Sequence, residues 1–152
     1  MFEELKARLG KLLKIDESKI LKKILSGISL QNKIIYLNTT KQLYEQGEDS
    51  LGRSLETIGG GYSPYTIEIK NRKGQPTDRV TLKDSGDFYQ SFDVINESSY
   101  IEIIAIYIKN GKDINKEWGG HVIGLQKENL QIIIDEIRVE YIQEVKKVMG
   151  IN

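Results

Sequence analysis

Phe92-Asp93-Val94-Ile95-Asn96-Glu97-Ser98-Ser99-Tyr100-Ile101-Glu102-Ile103-Ile104-Ala105-Ile106-Tyr107-Ile108-Lys109-Asn110-Gly111 is the stretch that decides the fold. Phe92 and Val94 alternate with polar neighbours, and Asn96-Glu97-Ser98-Ser99 has turn chemistry. Residues 100–108 then form a β-branched run closed by Asn110-Gly111. The expectation is a β-hairpin over 92–110. Its second strand is apolar on both faces, with Ile101, Ile103 and Tyr107 on one and Ile104, Ile106 and Ile108 on the other. Such a strand has to be covered twice. Helices of the same chain can cover one face; the other needs more helices or a neighbouring subunit.

Helical patterns flank this hairpin. Phe2, Leu5, Leu9, Leu12 and Leu13 share one stripe, which Gly10 weakens. Asp16 or Ser18 caps a second helix, in which Ile20, Leu21, Ile24, Leu25 and Ile28 share a face. The pattern slips at Ser26-Gly27 and resumes with Ile34, Ile35 and Leu37, which predicts a kink or break. Asn38 and Thr39 offer new caps, Leu43 and Tyr44 face inward, and Gly47 suits a left-handed stop. Residues 1–47 therefore read as helical. After the hairpin and a polar stretch holding Trp118, the residues Leu130, Ile133, Ile134, Ile137, Tyr141, Val145 and Val148 make a long stripe. Gly150 ends it, so a helix is expected over 127–149.

This order predicts an α+β fold: N-terminal helices and a long C-terminal helix packed on a small antiparallel β-sheet, with long loops. With 152 residues, one domain is expected over 1–152, able to bury roughly two-thirds of its unfolded surface. Residues 48–91 are its loop-rich interaction segment. Five glycines fall between residues 47 and 61, and both prolines, Pro64 and Pro76, follow. Residues 65–70 read as a short strand or a helical turn, and Asn71-Arg72-Lys73-Gly74-Gln75-Pro76 is turn chemistry. So much irregular chain in a compact domain points to loops that bind something. Tyr62, Tyr65, Phe88, Tyr89 and Phe92 make the segment too aromatic for a disordered linker.

Composition excludes several functions. Lys+Arg and Asp+Glu both number 22, and a zero net charge argues against a general nucleic-acid binder. Without cysteine there is no disulfide scaffold, thiolate zinc site or Cys nucleophile. The apolar run 103–108 is about a third of the roughly 20 residues a membrane span needs. The start, MFEELKARLGKLLKI, lacks a signal-peptide pattern, so an intracellular protein is expected. The charge is nevertheless uneven: residues 1–47 carry nine basic and five acidic side chains, and the remainder is acidic in balance. A solvated Lys-rich face accounts for this most simply. An arm for an acidic partner or DNA phosphate, and head-to-tail attraction between subunits, are the functional alternatives.

Catalytic constellations are not expected. Gly59-Gly60-Gly61 is followed by Tyr62-Ser63-Pro64 rather than the Lys-Ser/Thr end of a phosphate loop. Asp84 and Asp87 read either as a carboxylate pair or, better, as helix-start chemistry. In the second reading Asp84 or Ser85 caps a turn from Gly86, where a positive φ would require glycine. His121 is the single histidine, with no cysteine or identifiable serine partner. No catalytic, cofactor-binding or metal-binding residue is assigned, and the chain is not expected to be an enzyme.

The order of three blocks goes further: Leu43-Tyr44-Glu45-Gln46-Gly47, Tyr62-Ser63-Pro64-Tyr65-Thr66, and residues 73–92, which include Leu82-Lys83-Asp84-Ser85-Gly86 with Phe88 and Ser91. Together these resemble the head–tail joining, or tail-completion, proteins of tailed phages, as in crAss-like phages. Ser85 stands where Thr is usual. Trp118-Gly119 and Gly124-Leu125 also fit, with Gln126 at a position where a capping Thr is common. The likeness covers residues 43–130 and leaves out the Lys-rich helices before residue 40. It implies a structural virion protein forming a ring of twelve or six copies in the neck, made in the host cytoplasm and joining portal to tail. The implied partners are copies of itself, the portal or adjacent neck and tail rings, and incidental packaged DNA, with no membrane and no small-molecule substrate. Tyr62, Pro64, Tyr65, Gln75, Pro76 and Arg79 are the candidate contacts to the next ring. The alternatives are a regulatory module whose basic N-terminal helices bind nucleic acid and, more remotely, a small hydrolase.

Overall fold

The computed structural model describes residues 1–97, 100–109 and 111–151. The expected α+β architecture is present, with small antiparallel hairpins between amino-terminal helices and one long carboxyl-terminal helix. Helices α1 (Phe2–Leu12), α2 (Glu17–Leu25) and α3 (Ile28–Tyr36) follow the predicted stripes, and the chain breaks at Ser26-Gly27. Asp16 is the cap of α2, accepting from the Lys19 amide at 3.1 Å.

Asn38 and Thr39 are not caps, because α3 does not stop there. Its turns widen into a π-helix, Leu37–Gln46, which ends at Gly47 with φ 67°. Thr39 turns its hydroxyl back onto the Ile35 carbonyl at 2.7 Å. Asn38 is buried and uses both ends of its amide on distant backbone, donating to Val122 O at 3.1 Å and accepting from Gly124 N at 2.9 Å. One turn on, Gln42 donates to Gly124 O and accepts from Gln126 N, both at 2.9 Å. Two side-chain amides thus act as a strand edge for residues 122–126.

The loop-rich segment holds three short helices, α4 (Leu55–Gly59), α5 (Pro64–Arg72) and α6 (Asp87–Gln90). The ambiguity over 65–70 resolves to helix because Ser63 accepts from Thr66 N at 3.2 Å and Pro64 opens the first turn. Strands β1 (Asp93–Asn96) and β2 (Ile101–Ile104) pair antiparallel, as expected, in a register that sets Val94 opposite Ile103. Ser98 and Ser99 of the predicted turn lie outside the described residues.

The expected long strand over 100–108 is not continuous. After Ile104 the chain leaves β1, and β3 (Ile108–Lys109) pairs instead with β4 (Lys112–Asp113). The cause is competition for backbone bonds. Ser91 Oγ takes the Ile106 amide at 3.0 Å, and the Tyr107 carbonyl accepts from Ile114 N at 2.9 Å. Two-sided covering therefore fails within the chain: Ile101 and Ile103 pack inward, but Ile106 and Ile108 are 66% and 69% exposed. Asn110 of the second turn is outside the described residues.

Helix α7 (Ile114–Trp118) and a short 3-10 turn (Gly120–Val122) lead to α8 (Lys127–Met149), whose bounds match the sequence expectation. Two apolar clusters result. Ile20, Ile24, Leu30, Ile34, Val94 and Ile133 make one; Leu43, Leu55, Val80, Phe88, Phe92 and Val122 make the other. Ile35 and Ile103 touch both. The stripe of α8 is narrower than predicted: Ile133, Ile137, Tyr141 and Val145 pack against the first cluster, while Leu130, Ile134 and Val148 are exposed.

Part of the uneven charge is cancelled inside the chain. Lys33 pairs with Glu136, and Lys23 with Glu144 at 2.7 Å, so basic α2 and α3 lie against acidic α8. Hydrogen bonds from Lys147 and then Lys23 hold the Glu144 carboxyl down to about 2. A lowered carboxyl contributes stability above its ordinary value of 4.5 and loses it as pH falls toward 2. Glu144→Gln should therefore flatten the fall in thermal stability across that window in melts at stepped pH. In urea titration, Asn38→Ala should cost about 2 kcal/mol or more, since it orphans one buried donor and one buried acceptor. A loss below about 0.5 kcal/mol would dismiss the amide clamp.

Candidate functional site: a lysine-lined aromatic cleft

Residues 80–84 run between α5 and α6 without joining a sheet, so side chains must satisfy their backbone. The Tyr62 hydroxyl accepts from Thr81 N at 2.8 Å, and Tyr89 donates its hydroxyl to Thr81 O. Lys70 donates to Lys83 O at 2.7 Å and Gln75 to Asp84 O at 2.8 Å. Burial first, then neighbouring Tyr62 and Tyr44, pushes the Tyr89 phenol far up, so it stays a neutral donor. Leu82 holds φ 56°, a left-handed conformation that costs a non-glycine residue about 1 kcal/mol or more.

This segment forms one wall of a cleft of about 760 Å³. The glycine run before α5, α5 itself, helix α7 and the β3–β4 hairpin supply the others. The glycines serve packing: a Cβ on Gly59 would stand 2.3 Å from Trp118 Nε1, so only glycine lets the loop close on the indole. Leu82, Ile114 and Trp118 give the cleft apolar walls, and Lys70, Lys83, Lys109 and Lys112 line it with positive charge. Lys70 stands 4.6 Å from the centre of the Tyr62 ring, and Lys83 4.6 Å from that of Tyr44. Two acids also line it, Asp84 and Glu117. The Asp84 carboxyl is held below its ordinary range, first by a hydrogen bond from Lys73 and also by the fields of Lys109 and Lys70. Among the described residues, no group of three or more His, Asp or Glu side chains could hold a metal ion.

The predicted contact residues separate into two sets. Tyr62 and Tyr65 line the cleft, with Pro64 exposed between them on the first turn of α5. Tyr65 is 73% exposed, whereas Tyr62 is half-buried and tied to Thr81, so its removal disturbs the fold as well as any contact. Gln75, Pro76 and Arg79 lie outside the cleft. Gln75 braces Asp84, and Arg79 donates to the Tyr44 carbonyl at 2.9 Å.

The two aspartates do not form a carboxylate pair. Asp84 is bonded to Lys73, and Asp87 accepts from Ser85 Oγ at 2.7 Å. Gly86, at φ 100°, is itself the residue before α6, so Asp84 does not cap it; Ser85 Oγ accepts from Asp87 N only at 3.4 Å. His121 is exposed, and its carbonyl accepts from Ser50 N at 2.8 Å. Sequence reasoning missed Lys109, Lys112 and Trp118. A signal existed, because Asn110-Gly111 between two lysines is a tight-turn pair that sets them opposite one another.

Tyr62→Phe should cost about 1–3 kcal/mol in urea titration, the expense of leaving Thr81 N unpaired. Tyr65→Ser should change stability by less than about 0.5 kcal/mol. Comparison with known proteins adds no relative: no family model, no curated protein and no solved structure matches the chain.

Proposed function

We propose that this chain is a structural subunit that completes its packing in a homo-oligomer, a ring in the neck of a tailed phage joining portal to tail. The observation that carries the reading is apolar surface left bare by the subunit's own fold. Phe2, Leu5, Leu9, Leu12 and Leu13 all stay exposed on or just after α1, Leu13 at 85%. On α8, Ile132 and Val139, seven residues apart and so on one face, are exposed as well. Scattered surface leucines need no explanation, but a whole apolar helix stripe does. Ile106 and Ile108 add a second bare patch at the hairpins. A closed ring has two kinds of complementary surface on each subunit, which suits two separate apolar patches. The order of sequence blocks from residue 43 to residue 130 supplies the phage-neck assignment within that class.

The nucleic-acid alternative finds less support, because Lys23 and Lys33 are engaged with α8, and Lys6 and Arg8 with Glu3 and Glu4.

Leu5→Glu with Leu9→Glu should lower the particle size of purified protein in analytical ultracentrifugation. The urea midpoint of the subunit should stay near wild type, since neither residue is buried. A phage lacking the protein should give filled heads separated from tails under electron microscopy. Intact infectious particles would remove the neck assignment.

A further inference from the structure

Among the described residues, two nitrogen atoms of cleft-lining side chains are buried without a partner, Lys109 Nζ and Trp118 Nε1. Buried donors in folded proteins nearly always meet an acceptor, and an unpaired buried charge is the costlier omission. Lys109 also stands directly opposite Lys112 in the β3–β4 register. Like charges so placed oppose the pairing of the hairpin that carries them. Of the two acids lining the cleft, Asp84 is bonded to Lys73, which leaves Glu117 against four lysines. Lys70 already donates to Gln75 and to the Lys83 carbonyl. The cleft is thus short of acceptors, not donors.

We infer that the cleft receives an extended acidic segment of a neighbouring protein. Carboxylates of the segment meet Lys109 and Lys112, an oxygen accepts from the Trp118 N–H, and an apolar side chain lies against Leu82 and Ile114. Charge complementarity selects this occupant: a bound carboxylate neutralises the cross-strand lysine pair and satisfies the buried ammonium. The volume of about 760 Å³ falls in the range that encloses a ligand, and the exposed Tyr65 at its edge suits an aromatic contact. A segment that alternates carboxylates with apolar side chains fits better than nucleic acid, because Leu82 and Ile114 set apolar wall beside the lysines. The inference rests on the assembly reading only for the source of the segment, not for the chemistry of the cleft.

Trp118 is the single tryptophan of the chain, so its fluorescence reports the cleft alone. Purified protein is titrated with the peptide acetyl-Glu-Asp-Leu-Phe-Asp-Glu-amide, with its Gln/Asn counterpart, and with a ten-nucleotide oligothymidylate. The acidic peptide should give a saturable change, and the uncharged counterpart should bind about tenfold or more weakly. Lys109→Gln should weaken the acidic peptide by a similar factor, whereas Lys19→Gln on α2 should leave it unchanged. Thermal melts separate this from a structural role: Lys109→Gln should melt at or above wild type, since it relieves the like-charge pair. Equal binding of the two peptides overturns the proposal, as does an unaffected Lys109→Gln variant or no response up to about 1 mM. Tighter binding of the oligonucleotide than of the peptide overturns it in favour of phosphate. Sedimentation of the same samples keeps the two readings apart. Rings that form without any peptide response remove the cleft's role alone, and a strict monomer that binds the peptide removes the ring alone.

Discussion

The chain between α7 and α8 has little regular structure yet passes inward at Val122 and Gln126, and everything around it depends on how its backbone bonds are met. An irregular segment in a core brings N–H and C=O groups that water cannot reach. Here the π-helix answers them through Asn38 and Gln42, whose amides each offer one donor and one acceptor, the complement of a peptide group. Gln126, the residue before α8, then spends its own amide on Glu48 and the Asp49 carbonyl instead of capping the helix. Asp49, fully buried, orders the next turn by accepting from the Leu51 and Arg53 amides at 2.9 Å and pairing with the Arg53 side chain. One contiguous polar network therefore fixes the path of residues 122–126 and where α8 starts. Half satisfied, it would be worse than an apolar core; complete, it specifies one arrangement.

A second constraint is the division of the apolar interior. The first cluster is built from helix faces and the inner side of β1–β2, the second largely from loops and short helices around Phe88, whose ring meets Phe92 edge-on at 5.1 Å. Loops cannot bury their backbone as helices do, so the second cluster needs Tyr62, Lys70, Gln75 and Tyr89 to satisfy residues 81–84. The left-handed Leu82 sits within this braced stretch. Strain of that kind persists only where surroundings over-determine the backbone, and it occurs here in the wall of the cleft.

How far the sequence reveals this structure follows from the range of each interaction. The stripes of α2 and α8, the break at Ser26-Gly27 and the stop at Gly47 are legible because periodicity and left-handed glycine are local properties. The π-helix is not, since Asn38 reads as a cap until its partners more than 80 residues away are known. The long strand fails for the same reason. Its pattern is β-branched throughout, and only Ser91, brought near by the turn of α6, decides that Ile106 leaves the sheet. Helix α5 is a different case, because Ser63-Pro64 is a start signal present in the sequence but masked by the alternation of Ile67 and Ile69. At the cleft, Tyr62 and Tyr65 stand out in the sequence by their aromatic character, though they are expected there as contacts to a next ring rather than as cleft walls. Lys109 and Trp118 do not, because what singles them out is that their buried nitrogen atoms meet no acceptor among the described residues, which no spacing encodes.

The same distinction separates the two kinds of surface. Charge that the sequence places at opposite ends is partly cancelled by folding, as α2 and α3 lay lysines on the glutamates of α8. A neutral subunit with such internal pairing has little long-range field with which to orient copies of itself. In the assembly proposed above, contact through α1 and the hairpins would be short-range and apolar, supplying affinity but little direction. Direction has to come from groups whose partners are fixed in number and position, and the unsatisfied cleft is the place where the subunit has such groups left over. An apolar face that sets strength and a small charged cleft that sets register would divide between them what a neutral chain cannot obtain from its overall charge.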